Sequence, residues 1–281
     1  IFLSFADVQA DNIQDARFQV KVKISELFDQ NTYLLDSNVL SDNEKDIFKN
    51  ITMYMDDALC CSAVNIMCRY MQRYYNKKVI VLLDEYDTPM QEAYIHGYWD
   101  EFTAFLRSIF NATFKTNPYL ERAVMTGITR VSKESMFSDL NNLNVVTTTS
   151  DEYSSCFGFT EEEVFDSLDA FGLSDKKQEV KKWYDGFTFG SHKDIYNPWS
   201  VTSYLDKKRI APYWASTSSN GLVSRLLQTA STQVKELMEE LLRGGTIVVN
   251  FDEQIVFNQL DTNESAIWSL LVAGGYLKVN E

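Results

Sequence analysis

Apolar positions along the chain recur with two periods. Between about residues 52 and 75, Met55, Leu59, Ala63, Ile66, Tyr70 and Tyr74 fall three or four apart and mark one face of a long helix. Lys77 and Lys78 follow at its negative end. Ser41 and Glu44 have capping-box spacing ahead of Ile47, Phe48 and Ile51, which predicts a helix start there. Phe102, Phe105, Leu106, Ile109 and Phe114 predict another helix, stopped at Asn117-Pro118. Between these patterns lie short apolar runs at about 1–6, 79–83 and 123–126. The run at 79–83 is aliphatic without alternation, which predicts a strand covered on both faces of a parallel sheet. Strand, helix, strand, helix, strand predicts a doubly wound α/β sheet in roughly residues 1–150. The β-branched run 145–149 is a candidate for a further strand.

After about residue 155 the pattern changes to short capped helices. Thr160 with Glu163 forms a second capping box, Gly172 supplies a C-terminal stop, and Asn197-Pro198 reads as an N-cap before a helical proline. Helical spacing also fits 221–230, 233–243 and 264–273, while 246–251 and 255–260 read as short strands. The expected organisation is therefore two domains, 1–155 and 156–281. The second is mainly helical, with a winged-helix-like arrangement as one option.

Composition narrows the class. Of 281 residues, 45% are hydrophobic and 14% aromatic, which excludes a disordered chain. The net charge is −14 and both halves of the chain are acidic, which argues against a non-specific grip on a phosphate backbone. No run approaches the ~20 apolar residues of a membrane span, and no basic-then-apolar signal peptide opens the chain. Cys60, Cys61, Cys68 and Cys156 form no C-x-x-C, and His96 and His192 are the only histidines. Such cysteines read as small buried hydrophobes in a reducing compartment, so the expected location is cytoplasmic. The chain opens Ile1-Phe2-Leu3-Ser4-Phe5-Ala6, in the middle of what reads as a strand, which raises the expectation of a preceding segment.

The pattern with the most chemistry is the run 79–83 followed by Asp84-Glu85, a buried strand delivering two carboxylates at its C-terminal end. Ligands bind at that edge of open parallel sheets. An Asp there can hold the magnesium shell bridging two phosphates, and the neighbouring Glu can orient and deprotonate an attacking water. A solvated acidic loop is the plainer alternative. A second strand ending, Thr126-Gly127-Ile128-Thr129-Arg130, places a hydroxyl beside these acids and an arginine one turn later. Thr126 could fix the water or a γ-phosphate, and Arg130 could neutralise charge on a transferred phosphoryl group. A turn-satisfying threonine and a surface arginine explain the same residues without function.

The stretches 82–89, 126–130 and 137–143 closely resemble the AAA-ATPase-like family of uncharacterised bacterial proteins. The resemblance continues through 183–187, 196–200, 213–215 and 270–276. It implies a P-loop ATPase domain, often followed in the family by a restriction-endonuclease-like nuclease domain, with ATP and Mg2+ as ligands. On this likeness Asp84 corresponds to the Walker B magnesium residue, Glu85 to the catalytic glutamate and Thr126 to the sensor position. Arg130 is a further catalytic candidate, and the likeness leaves open a homo-oligomer in which Arg130 acts across a subunit interface. A protein or nucleic-acid partner is expected, and no membrane.

One family feature is missing. A phosphate-cradling loop needs G-x-x-x-x-G-K-[ST], yet none of the eleven glycines is followed by Lys. The expectation is therefore an incomplete P-loop-type sheet whose first strand and loop lie upstream of Ile1, in a chain that by itself binds nucleotide weakly or not at all. A nuclease motif, Asp followed by Glu-x-Lys, is not found after residue 245, so any nuclease domain is expected outside the chain as well. Two alternatives stay open: a divalent-ion hydrolase site on Asp84, Glu85 and Asp87, and a non-enzymatic protein-interaction module on an ATPase-derived sheet. The aromatic stretch 183–187, with Tyr196, Trp199, Tyr213 and Trp214, reads as domain packing before it reads as a binding platform.

Overall fold

The computed structural model describes residues 1–128, 140, 143–216, 221–249 and 266–279. These fall into two compact units, the first taking in Ile1–Leu143 and the second beginning at Asn144.

The first unit is built on three parallel strands, β1 (Phe2–Ser4), β2 (Val79–Asp84) and β3 (Leu120–Met125), in the spatial order β1-β2-β3. Helix α1 (Ile13–Asp29) starts where the Asn12 side chain accepts from the Asp15 N–H. Helix α2 (Asp42–Asn50) has the full Ser41/Glu44 capping box, and α3 (Asp57–Tyr75) is capped by Asp56. Helix α4 (Thr88–His96) ends at Gly97 in the left-handed region, and α5 (Trp99–Phe114) precedes β3. Helices α1, α3 and α5 touch one another, α1 touches β1 and α3 touches β2. Val20 and Ile24 of α1, Val64 and Met67 of α3, and Phe102 and Leu106 of α5 are buried, as are Leu3, Val81 and Leu83 of the sheet. Cys60 and Cys68 lie in this core, where burial pushes their thiols up to about 12 and about 11.

The expectation that β2 is covered on both faces is overturned. Its residues alternate between buried and exposed, with Ile80 52% and Leu82 43% exposed. On the same face Phe2, opposite Leu82, is 61% exposed, and Val124, also opposite Leu82, is 46% exposed. The physical reason lies in the strand order. A chain stepping β1, β2, β3 in one direction through crossovers of one hand lays all its helices on one face. A doubly wound sheet needs a crossover running the other way, and the described residues contain none.

The second unit carries a small antiparallel sheet that the helical reading of this region did not anticipate. Strands β4 (Phe159–Thr160), β5 (Asp185–Phe189) and β6 (His192–Tyr196) run in the order β4-β6-β5. Helices α6 (Glu161–Ala170), α7 (Lys177–Tyr184) and α8 (Pro198–Lys207) surround it, with the Thr160/Glu163 capping box and the Asn197 cap in place. Val164, Leu168, Val180, Tyr184, Tyr196, Val201 and Tyr204 make the core. Helices α9 (Gly221–Thr229), α10 (Thr232–Leu242) and α11 (Ala266–Ala273) follow. The run 145–149 is not a strand. Thr147 and Ser150 close a turn on each other, the Ser150 N–H donating to the Thr147 carbonyl at 3.1 Å and the Thr147 N–H to Ser150 Oγ at 3.0 Å. Residues 246–249 are not a strand either, and the strand expected at 255–260 lies outside the described residues. No helix among the described residues is long and apolar enough to cross a membrane.

Candidate functional site

Parallel pairing brings three strand ends side by side. Ser4 lies opposite Asp84, and β3 continues into Thr126, whose N–H donates to the Leu83 carbonyl at 2.9 Å. Asp84 is thereby held between two hydroxyls. Thr126 Oγ1 donates to Asp84 Oδ1 at 2.6 Å, and Ser4 Oγ donates to Asp84 Oδ2 at 3.2 Å. Hydroxyl bonds of this kind orient a carboxylate while leaving lone pairs on both oxygens.

Glu85 follows with φ at +55°, in the left-handed region that a non-glycine residue enters only at a cost. Its carbonyl accepts from the Thr88 N–H at 3.2 Å, and its Oε2 accepts from Thr88 Oγ1 at 2.9 Å. Burial pushes the Glu85 carboxyl above the usual glutamate range. The Thr88 hydroxyl opposes that shift, and the nearby charges of Asp87 and Asp84 add to it.

Asp87 is fully buried and points elsewhere. Its Oδ2 accepts from Gln91 Nε2 at 3.1 Å, and its carboxylate lies against Gly127, where a Cβ would meet the Asp87 carboxyl oxygen and come within 2.9 Å of Tyr86 Cε1. Among the described residues no three His, Cys, Asp or Glu side chains converge as a metal-binding group. The structure thus brings Asp84, Glu85 and Thr126 together and places Asp87 beside them as a buried neighbour; Arg130 lies outside the described residues. Two contributors, Ser4 and Thr88, were not anticipated as site residues. A serine ending a three-residue strand acquires meaning only from its register against Asp84. The signal for Thr88 was its place three residues after Glu85 at a helix start.

Residues 1–137 match the family described as predicted AAA-ATPase. The predicted AAA-ATPase match covers β1, β2, β3 and every residue of the site just described. An uncharacterized protein in the vnfD 5′ region of Azotobacter chroococcum mcd 1 is 26% identical over 207 residues, which are 73% of this chain and 38% of that protein. The chain therefore spans well under half the length of this curated relative. No solved structure matches the chain.

In the second unit the aromatic stretch divides. Tyr184 and Tyr196 are core residues, whereas Trp183 and Trp199 are exposed. Phe187, Phe189, Lys193, Trp214 and Tyr276 are among the residues that line a cleft of about 990 Å³.

Proposed function

We propose that the first unit is the magnesium-holding and water-activating part of an ATP hydrolase. The observation that carries this reading is the Asp84 carboxylate clamped between the Ser4 and Thr126 hydroxyls at the C-terminal edge of a parallel sheet, with Glu85 adjacent. A single carboxylate suits Mg2+, which keeps several waters and takes its remaining ligands from phosphates. Asp84 would hold that ion, and the ion would supply charge neutralisation on the phosphates. Glu85, raised by burial into a better proton acceptor, would take the proton of the water whose oxygen attacks the γ-phosphorus as the bond to the β-phosphate oxygen breaks. Thr126 would keep Asp84 in place from the sensor position.

The G-x-x-x-x-G-K-[ST] loop that would cradle the phosphates does not occur in the sequence of residues 1–281, which holds no Gly-Lys pair. We assign that role to a segment outside these residues. Two features of the sheet support it: β3 is an edge strand among the described residues, and the face bearing Ile80 and Leu82 is bare. The deciding experiment is Glu85→Gln in the full polypeptide. ATP turnover should fall at least a hundredfold while nucleotide binding persists; unchanged hydrolysis rejects Glu85 as the base.

The bare face also supports the second reading, a non-enzymatic interaction module, and absence of any nucleotide binding by the full polypeptide would favour it. For the second unit, the order strand, two helices, hairpin, with β4 paired to β6, supports the winged-helix-like option. Charge favours a protein over a nucleic acid as its partner. Lys177 is paired with Asp169, and Lys181 with Glu161 and Asp194, so helix α7 offers little free positive charge.

A further inference from the structure

We propose that Thr88 is a positioning residue for Glu85, fixing its carboxylate so that the other oxygen faces the attacking water; the inference rests on the reading of Glu85 given above. Strand β2 ends at Asp84, and the chain then bends through Glu85 in the left-handed region. That conformation is costly for a non-glycine residue and persists only where surrounding contacts hold it. Thr88 supplies two of those contacts, from its N–H to the Glu85 carbonyl and from its hydroxyl to Glu85 Oε2, so it secures both the main chain and the side chain.

Thr88 is itself well anchored. It opens α4, with buried Pro89 next to it, and its branched Cβ leaves few rotamers. Its hydroxyl is not spent on capping the helix; the residue at the cap position is Asp87, whose side chain makes no capping bond. Asp84, on the other side of Glu85, is held by different hydroxyls, those of Ser4 and Thr126. Each acid of the pair therefore has its own fixing group. A glutamate left to rotate gives up rotamer entropy each time it meets the water, and a preset one does not.

The plain alternative is that Thr88 only starts a helix. Thr88→Val keeps the shape and the stiff Cβ but removes the hydroxyl, and Thr88→Ser restores the hydroxyl alone. In the full polypeptide, Thr88→Val should lower kcat about tenfold while the Kd for a fluorescent ATP analogue with magnesium stays within twofold. Thr88→Ser should recover most of the rate. In a Glu85→Gln background, Thr88→Val should cause no further loss of the residual rate, because the group it acts through is gone. Wild-type turnover by Thr88→Val, or an equal further loss in the Glu85→Gln background, overturns the inference while leaving Glu85 as the base. Full turnover by Glu85→Gln, or none by the unaltered polypeptide, instead overturns the reading beneath it, and the inference with it.

Discussion

At the level of single residues, the site is held by close approach as much as by hydrogen bonds. Gly127 leaves the β3 end just where the buried Asp87 carboxylate and the Tyr86 ring press against the backbone. Its backbone angle is not one that demands glycine; the lack of a side chain is what matters. Gly127→Ala should therefore destabilise the chain by about 1–3 kcal/mol, the usual cost of overpacking. A thermal or urea unfolding curve measures this directly, and an unchanged midpoint would show that Asp87 moves aside freely. The same region shows how far the site could be read from sequence. Asp84 and Glu85 announce themselves by following five aliphatic residues, and Thr126 by ending the next apolar run. Ser4 does not, because its place beside Asp84 is a fact of strand register across 80 residues; Thr88 is three residues from Glu85, and its local signal reads first as a helix start.

At the level of elements, signals confined to one turn carried over well. Both capping boxes, Ser41/Glu44 and Thr160/Glu163, are formed, since each needs only residues three apart. Beside the β5–β6 hairpin, strand β4 was hidden because it is two residues long and its partner β6 lies more than thirty residues downstream. That hairpin holds a carboxyl pair with a defined pH signature. Burial, then the hydrogen bond and charge of Asp194, push Asp185 up to about 6, with Lys181 and Lys278 opposing; the Asp185 bond and Lys181 hold Asp194 below its usual range. A carboxyl with a raised native value binds its proton more tightly when folded. Its contribution to stability is complete below the ordinary aspartate value of 3.8 and is lost as pH rises through about 6. Asp185→Asn keeps a donor toward Asp194 and removes the titration. It should raise the unfolding midpoint at pH 7, with the gain shrinking toward zero near pH 4. A gain of equal size at both pH values would place the effect in packing and not in the proton.

At the scale of the whole chain, the half-exposed sheet face has a large energetic consequence. Covering a Val, Leu, Ile or Phe side chain completely is worth roughly 1.5–3 kcal/mol, so four that are about half exposed forgo about 4 kcal/mol together. Against a typical total stability of roughly 5–15 kcal/mol, that is a large fraction to leave in water. An all-aliphatic strand is written for two covered faces, and among the described residues β2 has one. If a phosphate-loop segment outside residues 1–281 completes that sheet, the cost of making the face polar must depend on whether the segment is present. Ile80→Thr with Leu82→Thr preserves strand propensity and tests this. In residues 1–281 alone the pair should reduce binding of a hydrophobic dye and shift the unfolding midpoint by only a few degrees. In the full polypeptide the same pair should cost several kcal/mol and weaken ATP binding, because the covering helix and strand lose their seat. Equal cost in both settings would mean that the face stays open in the complete protein, and the interaction-module reading would then gain over the hydrolase.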